Sequence, residues 1–329
     1  MAEQTNTEAL YEWIDQMTGA VQQSLGLTYL EALAEAGENL LQQEVVQSLP
    51  DEQKKELQEK LEAGLPPEMK REEIRKAFQL AVIKGMKENV QPHHAMTPDA
   101  VAMFMGYLAE KLTAKKEIKA VMDPAVGTAN LLTAVLNQLN KEVVAYGAEV
   151  DETLLNIAYV LSNLQEHTVE LFHQDSIEKL PEIPADLVVT DLPVGYYPKQ
   201  EAAAQYELNV TGGQPYVHHL MIESTLKELK ENGVMLLLVP NFIFESDQSE
   251  DLQRVIKKYA FTLGLLQLPG SMFKDQQFAK SIWIIQKRGP NVRQPGQALL
   301  AEMPSFSNRE AMIEMMKSID NWFKEEGFS

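Results

Sequence analysis

Across 329 residues the chain has no cysteine, which rules out a disulfide framework, a thiolate nucleophile and a cysteine-ligated zinc. It also lacks any apolar run approaching the roughly 20 residues of a membrane span. Met1 to Leu10 is acidic and polar and does not read as a signal peptide, so a cytoplasmic protein with no membrane association is expected. Positive charge is in short supply: residues 1–90 carry 9 Lys+Arg against 17 Asp+Glu and the remainder 20 against 31, for a net charge of −19. Duplex DNA binding draws on several neutralised phosphates, so tight autonomous DNA binding is disfavoured unless basic side chains cluster locally. With 45% hydrophobic residues and no low-complexity tract, the chain has enough apolar material to fold throughout.

Two textures follow one another. Up to about Val90 the apolar residues recur at three- and four-residue steps, as with Leu10, Trp13, Ile14, Met17, Val21 and Leu25 in ALYEWIDQMTGAVQQSL. This is the stripe of an amphipathic helix, and PDEQ and LPPE read as turns between helices. Residues 1–90 therefore read as a helical domain that serves packing, and a protein partner is the role left open for it.

From Ala120 apolar runs of four to seven residues alternate with helical stretches. VMDP, VVAYGAEV, VELF, DLVVTD and VMLLLVP read as strands; TANLLTAVLNQL, ETLLNIAYVLSNL and VHHLMIESTLKELK read as helices. The alternation predicts an α/β domain over 91–329, a Rossmann-like, doubly wound and mostly parallel sheet. FTLGLLQLP and AKSIWIIQK lack a helix between them and predict an antiparallel edge pair. NREAMIEMMKSIDNWFKEE predicts a closing helix.

In such a sheet ligands bind beyond the carboxyl ends of the strands, so the residues ending each run are the ones to inspect. The first run ends in DPAVGTAN, where Gly127 lets backbone approach a ligand and opens a helix. The second presents Glu149, a carboxylate suited to a ribose diol. Asp175 in HQDSI is placed to accept from an exocyclic amine, although it and Asp151 also fit as caps. The fourth run, DLVVTDLPVGYYP, stops on Asp191 and breaks into a proline turn beside two tyrosines.

Taken in order, these stretches resemble the class I S-adenosylmethionine-dependent methyltransferases. The closer resemblance is to the adenine-N6 DNA methylases, especially the modification subunits of type I restriction systems. HAMTPDAVAMFMGYL, DPAVGTANLL, YGAEVDETLLNIAYVLSNL, HQDSI and DLVVTDLPVGYY carry it over roughly residues 90 to 290. The resemblance implies S-adenosyl-L-methionine as cofactor. Asp123, Ala125, Gly127 and Thr128 would lie along its methionine side with Thr97 closing over them, Glu149 on its ribose, and Asp175 and Ser176 at its adenine edge. It further implies that the Asp191 side chain and the Leu192 carbonyl accept hydrogen bonds from the target amine, in a loop stiffened by Pro193.

Two positions depart from the family pattern. Val194 stands where an aromatic stacks on the flipped base, a contact worth about 1–3 kcal/mol, with Tyr196 or Tyr197 as substitutes or as packing residues. Ala129 replaces the usual second glycine, a mild change at negative φ and a disruptive one at positive φ. The expected activity is N-methyl transfer of the adenine-N6 type. The alternatives are transfer to an amine of protein, RNA or a small molecule, and S-adenosylmethionine binding without turnover. Nucleic acid as a partner is implied by the resemblance but opposed by the net charge and by the roughly forty residues after Lys287, in which no recognition domain fits.

No metal site is expected. His93–His94 and His218–His219 are adjacent pairs whose members point apart on a helix, and no H-E-x-x-H accompanies them. Ser271 lacks a nucleophile elbow. Thr211-Gly212-Gly213 reads as a flexible loop over the site, since no Lys-Ser/Thr follows as in a phosphate cradle. NAD is the nearest rival ligand, disfavoured by the DPxxG loop and the acid-plus-proline fourth strand.

Overall fold

The computed structural model describes residues 5–63, 69–88, 96–210, 212–290 and 292–328. Four helices come first: α1 (Asn6–Leu25), α2 (Tyr29–Gln42), α3 (Asp51–Glu62) and α4 (Arg71–Glu88). The first two start on capping boxes, Thr5 with Glu8 and Thr28 with Glu31. In each, the threonine oxygen and the glutamate carboxylate satisfy two otherwise orphaned N–H groups. The apolar stripes of α1, α2 and α4 meet in one cluster holding Leu10, Ile14, Met17, Leu33, Leu40 and Phe78. The LPPE turn expected between α3 and α4, the 90/91 domain boundary, His93, His94 and Thr211 lie outside the described residues.

Next come α5 (Asp99–Thr113), β1 (Ala120–Asp123), α6 (Asn130–Leu136), β2 (Val144–Glu149), α7 (Glu152–Leu164), β3 (Val169–His173) and β4 (Ala185–Asp191). The chain continues through α8 (Gln200–Ala203), α9 (Val217–Glu228), β5 (Leu229–Pro240), α10 (Ser249–Tyr259), β6 (Ala260–Gln267), β7 (Lys280–Lys287), β8 (Leu299–Glu302) and α11 (Arg309–Glu325). The strands form one sheet in the order β3-β2-β1-β4-β5-β7-β6-β8, and each neighbouring pair is parallel except where β7 lies against β5 and β6.

The mixed α/β sheet, the helical N-terminal domain and the antiparallel β6–β7 pair match the architecture expected from the sequence. The pair does not form the rim, however, because β8, which the sequence did not reveal, adds in parallel to β6. Strand alternation splits the core between the two faces. Leu187 and Val189 of β4 join one cluster with α5, α6 and α11, while Val188 joins the other with α9 and α10, as a period of two requires. Among the described residues no helix is long and apolar enough to cross a membrane.

The helical domain is packed onto the sheet domain. Ile157, Val160 and Leu161 of α7 share its core, and α2 approaches so closely at Gly37 that a Cβ there would lie 2.4 Å from a Val160 methyl. Arg75 of α4 is fully buried at this junction.

Candidate active site

β1, β2 and β4 all end at one edge of the sheet, and each ends on an acid: Asp123, Glu149 and Asp191. Asp123 is 1% exposed, and its Oδ1 accepts from the Ala125 N–H at 3.1 Å. Burial pushes its pKa up to about 7, and the nearby Glu149 and Asp191 carboxylates add to the rise. The turn after it is stitched to β2, with the Val126 N–H donating to the Ala148 carbonyl at 2.9 Å and the Gly127 N–H to Glu149 Oε2 at 2.9 Å. Gly127 has φ +53°, and a Cβ there would meet nothing within 4 Å, so the backbone faces open space. Ala129 has φ +61° at the N-cap of α6, the unfavourable side of the alternative weighed from the sequence.

Glu149 Oε1 accepts from the N–H groups of Val150 at 2.9 Å and Asp151 at 3.0 Å, which with the Gly127 bond fixes the carboxylate and leaves one of its about four lone-pair positions, on Oε2, open. Asp151 caps α7 through the Leu154 N–H at 3.0 Å. Asp175 caps a turn, its Oδ1 accepting from the Ile177 N–H at 2.9 Å. It is also tied to the fourth loop, its Oδ2 accepting from the Tyr197 hydroxyl at 2.9 Å and from Lys199 at 3.2 Å. Ser176 is buried and donates to the Pro124 carbonyl at 2.6 Å, joining the third loop to the first. Thr128 is buried and Ala125 half-buried within the same turn.

The fourth loop is held on both sides. Leu192 is buried, and its N–H donates to the Leu238 carbonyl at 3.1 Å, extending the β4–β5 pairing past the strand end. The Tyr197 N–H donates to the Pro215 carbonyl at 2.8 Å, and the Val217 N–H to the Gly195 carbonyl at 3.0 Å. The two tyrosines part company. Tyr197 is 4% exposed and packs in the core, whereas Tyr196 is 56% exposed and stacks on Tyr216 with centroids 4.7 Å apart.

Val194, 49% exposed, offers no ring, which leaves Tyr196 as the exposed aromatic of this loop. Beneath Tyr216 lie His218, at 5.0 Å, and His219, at 5.3 Å. Both are fully buried with no partner for either ring nitrogen among the described residues. Burial lowers their pKa values to about 3 and about 4, so both are neutral. No group of three or more His, Cys, Asp or Glu placed to hold a metal occurs among the described residues.

Two contacts went unread in the sequence. The Thr97 hydroxyl donates to Asp191 Oδ2 at 2.9 Å, and Lys280, the first residue of β7, forms an ion pair with Asp191 Oδ1. Thr97, which the family resemblance implies closes over the cofactor, lies against Asp191. Lys280 had passed as part of an apolar strand, and the only available signal was a cation opening that run. Arg75 was likewise not singled out by the sequence. Its Nη1 donates to Asn130 Oδ1 at 2.9 Å, and its remaining donors engage Glu72 and Asp99. The helical domain therefore reaches α5 and the first residue of α6, directly behind the Asp123–Ala129 turn.

This fold, with its three acid-tipped strand ends, is that of the class I S-adenosylmethionine-dependent methyltransferases. Residues 91–325 match the N-6 DNA methylase family and residues 8–86 the YtxK N-terminal helical domain, and the chain belongs to the N-6 DNA methylase family. It is 46% identical over 321 residues to the uncharacterized protein YtxK of Bacillus subtilis, covering 97% of this chain and 98% of that one. It is 38% identical to a class I S-adenosylmethionine-dependent methyltransferase candidate from Listeria monocytogenes, with a TM-score of 0.89 over 97% of this chain and 99% of that one. The methyltransferase subunit of a type I restriction-modification system from Streptococcus thermophilus shares the fold, with a TM-score of 0.63 at 14% identity over 94% of this chain and 74% of that one.

Proposed function

We propose that this protein binds S-adenosylmethionine at the edge formed by β1, β2 and β4 and transfers its methyl group to a nitrogen held by Asp191, Leu192 and Pro193. The observation that carries the reading is the convergence of Asp123, Glu149 and Asp191 on adjacent strand ends. The residues present suit the cofactor: the backbone at Gly127 is open to close approach, and Glu149 is oriented by three N–H groups and keeps one acceptor position, on Oε2, for a ribose hydroxyl. The cofactor supplies a methyl group on a sulfonium, an electrophile ready for in-line attack.

Glu149 would hold a ribose hydroxyl through Oε2. The Asp123–Thr128 turn would line the methionine portion, and Asp175 and Ser176 would border the adenine. Asp191 and the Leu192 carbonyl would accept the acceptor's N–H bonds, orienting the nitrogen lone pair toward the methyl group. Tyr196, already stacked on Tyr216, is the ring available to a planar acceptor. Adenine-N6 is the acceptor that the family membership favours. The net charge of −19 favours an acceptor outside duplex DNA, such as an amide or amine of protein, RNA or a small molecule.

Asp191→Ala, assayed for transfer of labelled methyl groups to an acceptor panel, should abolish turnover and leave cofactor affinity within a few fold. Turnover retained in the variant refutes the role of Asp191. Cofactor binding without turnover in the unaltered protein supports the reading in which S-adenosylmethionine is bound but not consumed, with Thr97 and Lys280 engaging both oxygens of Asp191.

A further inference from the structure

Lys280 opens β7, the strand that runs against its neighbours, so its side chain enters at the edge where β1, β2 and β4 end. Its backbone is fixed on both sides: Lys280 pairs with Pro240 of β5, and its carbonyl accepts from the Leu268 N–H at 3.1 Å. The ammonium meets Asp191 Oδ1 where the two side chains are only 20% and 16% exposed. The other oxygen of Asp191 accepts from Thr97 at 2.9 Å. A carboxylate offers about four lone-pair positions, so both oxygens can still receive an N–H. The group assigned to the acceptor therefore retains hydrogen-bonding capacity while its charge is balanced.

We propose that Lys280 makes the Asp191 site an electrically neutral hydrogen-bond acceptor and so restricts the methyl acceptor to uncharged, conjugated nitrogens, such as a carboxamide or a ring-conjugated exocyclic amine, excluding alkylammonium ions. This rests on the reading of Asp191 as the acceptor-binding group. Opposite charges in contact attract strongly at the effective dielectric near a protein surface. A cation docking on Asp191 gains that attraction and loses a similar amount to Lys280 beside it, whereas a neutral amine incurs no such repulsion.

The same balance serves the chemistry. A lone carboxylate would favour the protonated form of an alkylamine, which has no lone pair, and the pair removes that bias. The acceptor's nitrogen lone pair forms the new N–CH3 bond while the electron pair of the S–CH3 bond stays with sulfur, and the surplus N–H proton leaves to water.

The test uses the full chain with S-adenosylhomocysteine and two probes, propionamide and n-butylammonium, titrated into the unaltered protein, Lys280→Gln, Lys280→Arg and the Lys280→Gln/Asp191→Asn double variant. Lys280→Gln should shift the ratio of affinities at least tenfold toward n-butylammonium. Lys280→Arg should keep the ratio within a few fold, and the double variant should return it, since removing both charges restores neutrality. An unchanged ratio in Lys280→Gln, with S-adenosylhomocysteine still bound, overturns the role of Lys280 alone. Failure of the unaltered protein to bind S-adenosylhomocysteine overturns the cofactor reading and this inference together.

Discussion

Replacing Arg75 with methionine would remove the charge that joins the helical domain to the Asp123–Ala129 turn while keeping most of the side-chain volume. The guanidinium is fully buried and divides its donors among Glu72, Asp99 and Asn130. Burial tends to raise the Glu72 pKa, but the bonds from Arg75 and Asn137 outweigh it and hold the carboxyl below its ordinary value. Leaving buried carboxylates without their cation costs about 3–5 kcal/mol. Here Glu72 and Asp99 keep 32% and 41% exposure, which brings the expected loss down to about 2–3 kcal/mol. With an unfolding entropy of about 2.1 cal/mol/K per residue over 329 residues, the melting temperature should fall by roughly 3–4 °C. Asn130 would also lose a partner, so S-adenosylmethionine affinity should weaken several fold even at temperatures where the variant is fully folded. Scanning calorimetry with and without cofactor checks both. A melting temperature within 1 °C of the unaltered protein, together with unchanged affinity, would refute the structural coupling.

Two further expectations concern the turn and the buried histidines. At Ala129 the left-handed conformation costs about 1–2 kcal/mol, offset by a buried methyl worth about 0.8 kcal/mol and by about 0.4–1 kcal/mol of unfolded-chain entropy that glycine would add. Ala129→Gly should therefore stay within about 1 kcal/mol of the parent in urea unfolding, while Ala129→Val should lose more than about 2 kcal/mol; equal stability of the valine variant would contradict the assigned φ. His218 and His219 titrate at about 3 and about 4 when folded against about 6.5 unfolded, so the unfolded chain binds more protons in between. Their contribution is present in full above pH 6.5 and is lost as pH falls, at about 1.4 kcal/mol per pH unit for each proton taken up. Asp123, raised to about 7, works in the opposite sense, and its contribution is lost as pH rises through 7. His218→Leu should flatten the acid limb of the stability–pH curve, and an identical slope would show that His218 is not buried neutral.

What could be read from the sequence was local. Each strand end announced itself within a few residues, because an apolar run followed by an acid and a Gly or Pro turn needs no partner to be recognised. This was enough to place Asp123, Glu149 and Asp191 on one edge. The contacts that went unseen all depend on distant pairing. Lys280 meets Asp191 only because β7 inserts between β5 and β6, and Arg75 meets Asn130 across 55 positions of chain. The edge strand Leu299–Glu302 is four residues long, and although its burial alternates, its residues do not, since Leu300 is exposed beside the buried Leu299, so it left no period to detect. Tyr196 and Tyr197 had to separate once the segment was extended, since neighbouring side chains then point to opposite sides. Which of them stayed exposed was decided by the bridge between Tyr196 and Tyr216.

The central claim is the cofactor site, and calorimetric titration of S-adenosylmethionine and S-adenosylhomocysteine into the purified protein tests it most directly, with Asp123→Ala and Glu149→Ala as controls. The expected result is micromolar binding of both compounds that each control abolishes or weakens by at least tenfold. Absence of binding in the unaltered protein, or equal binding in the Glu149→Ala variant, would contradict the account.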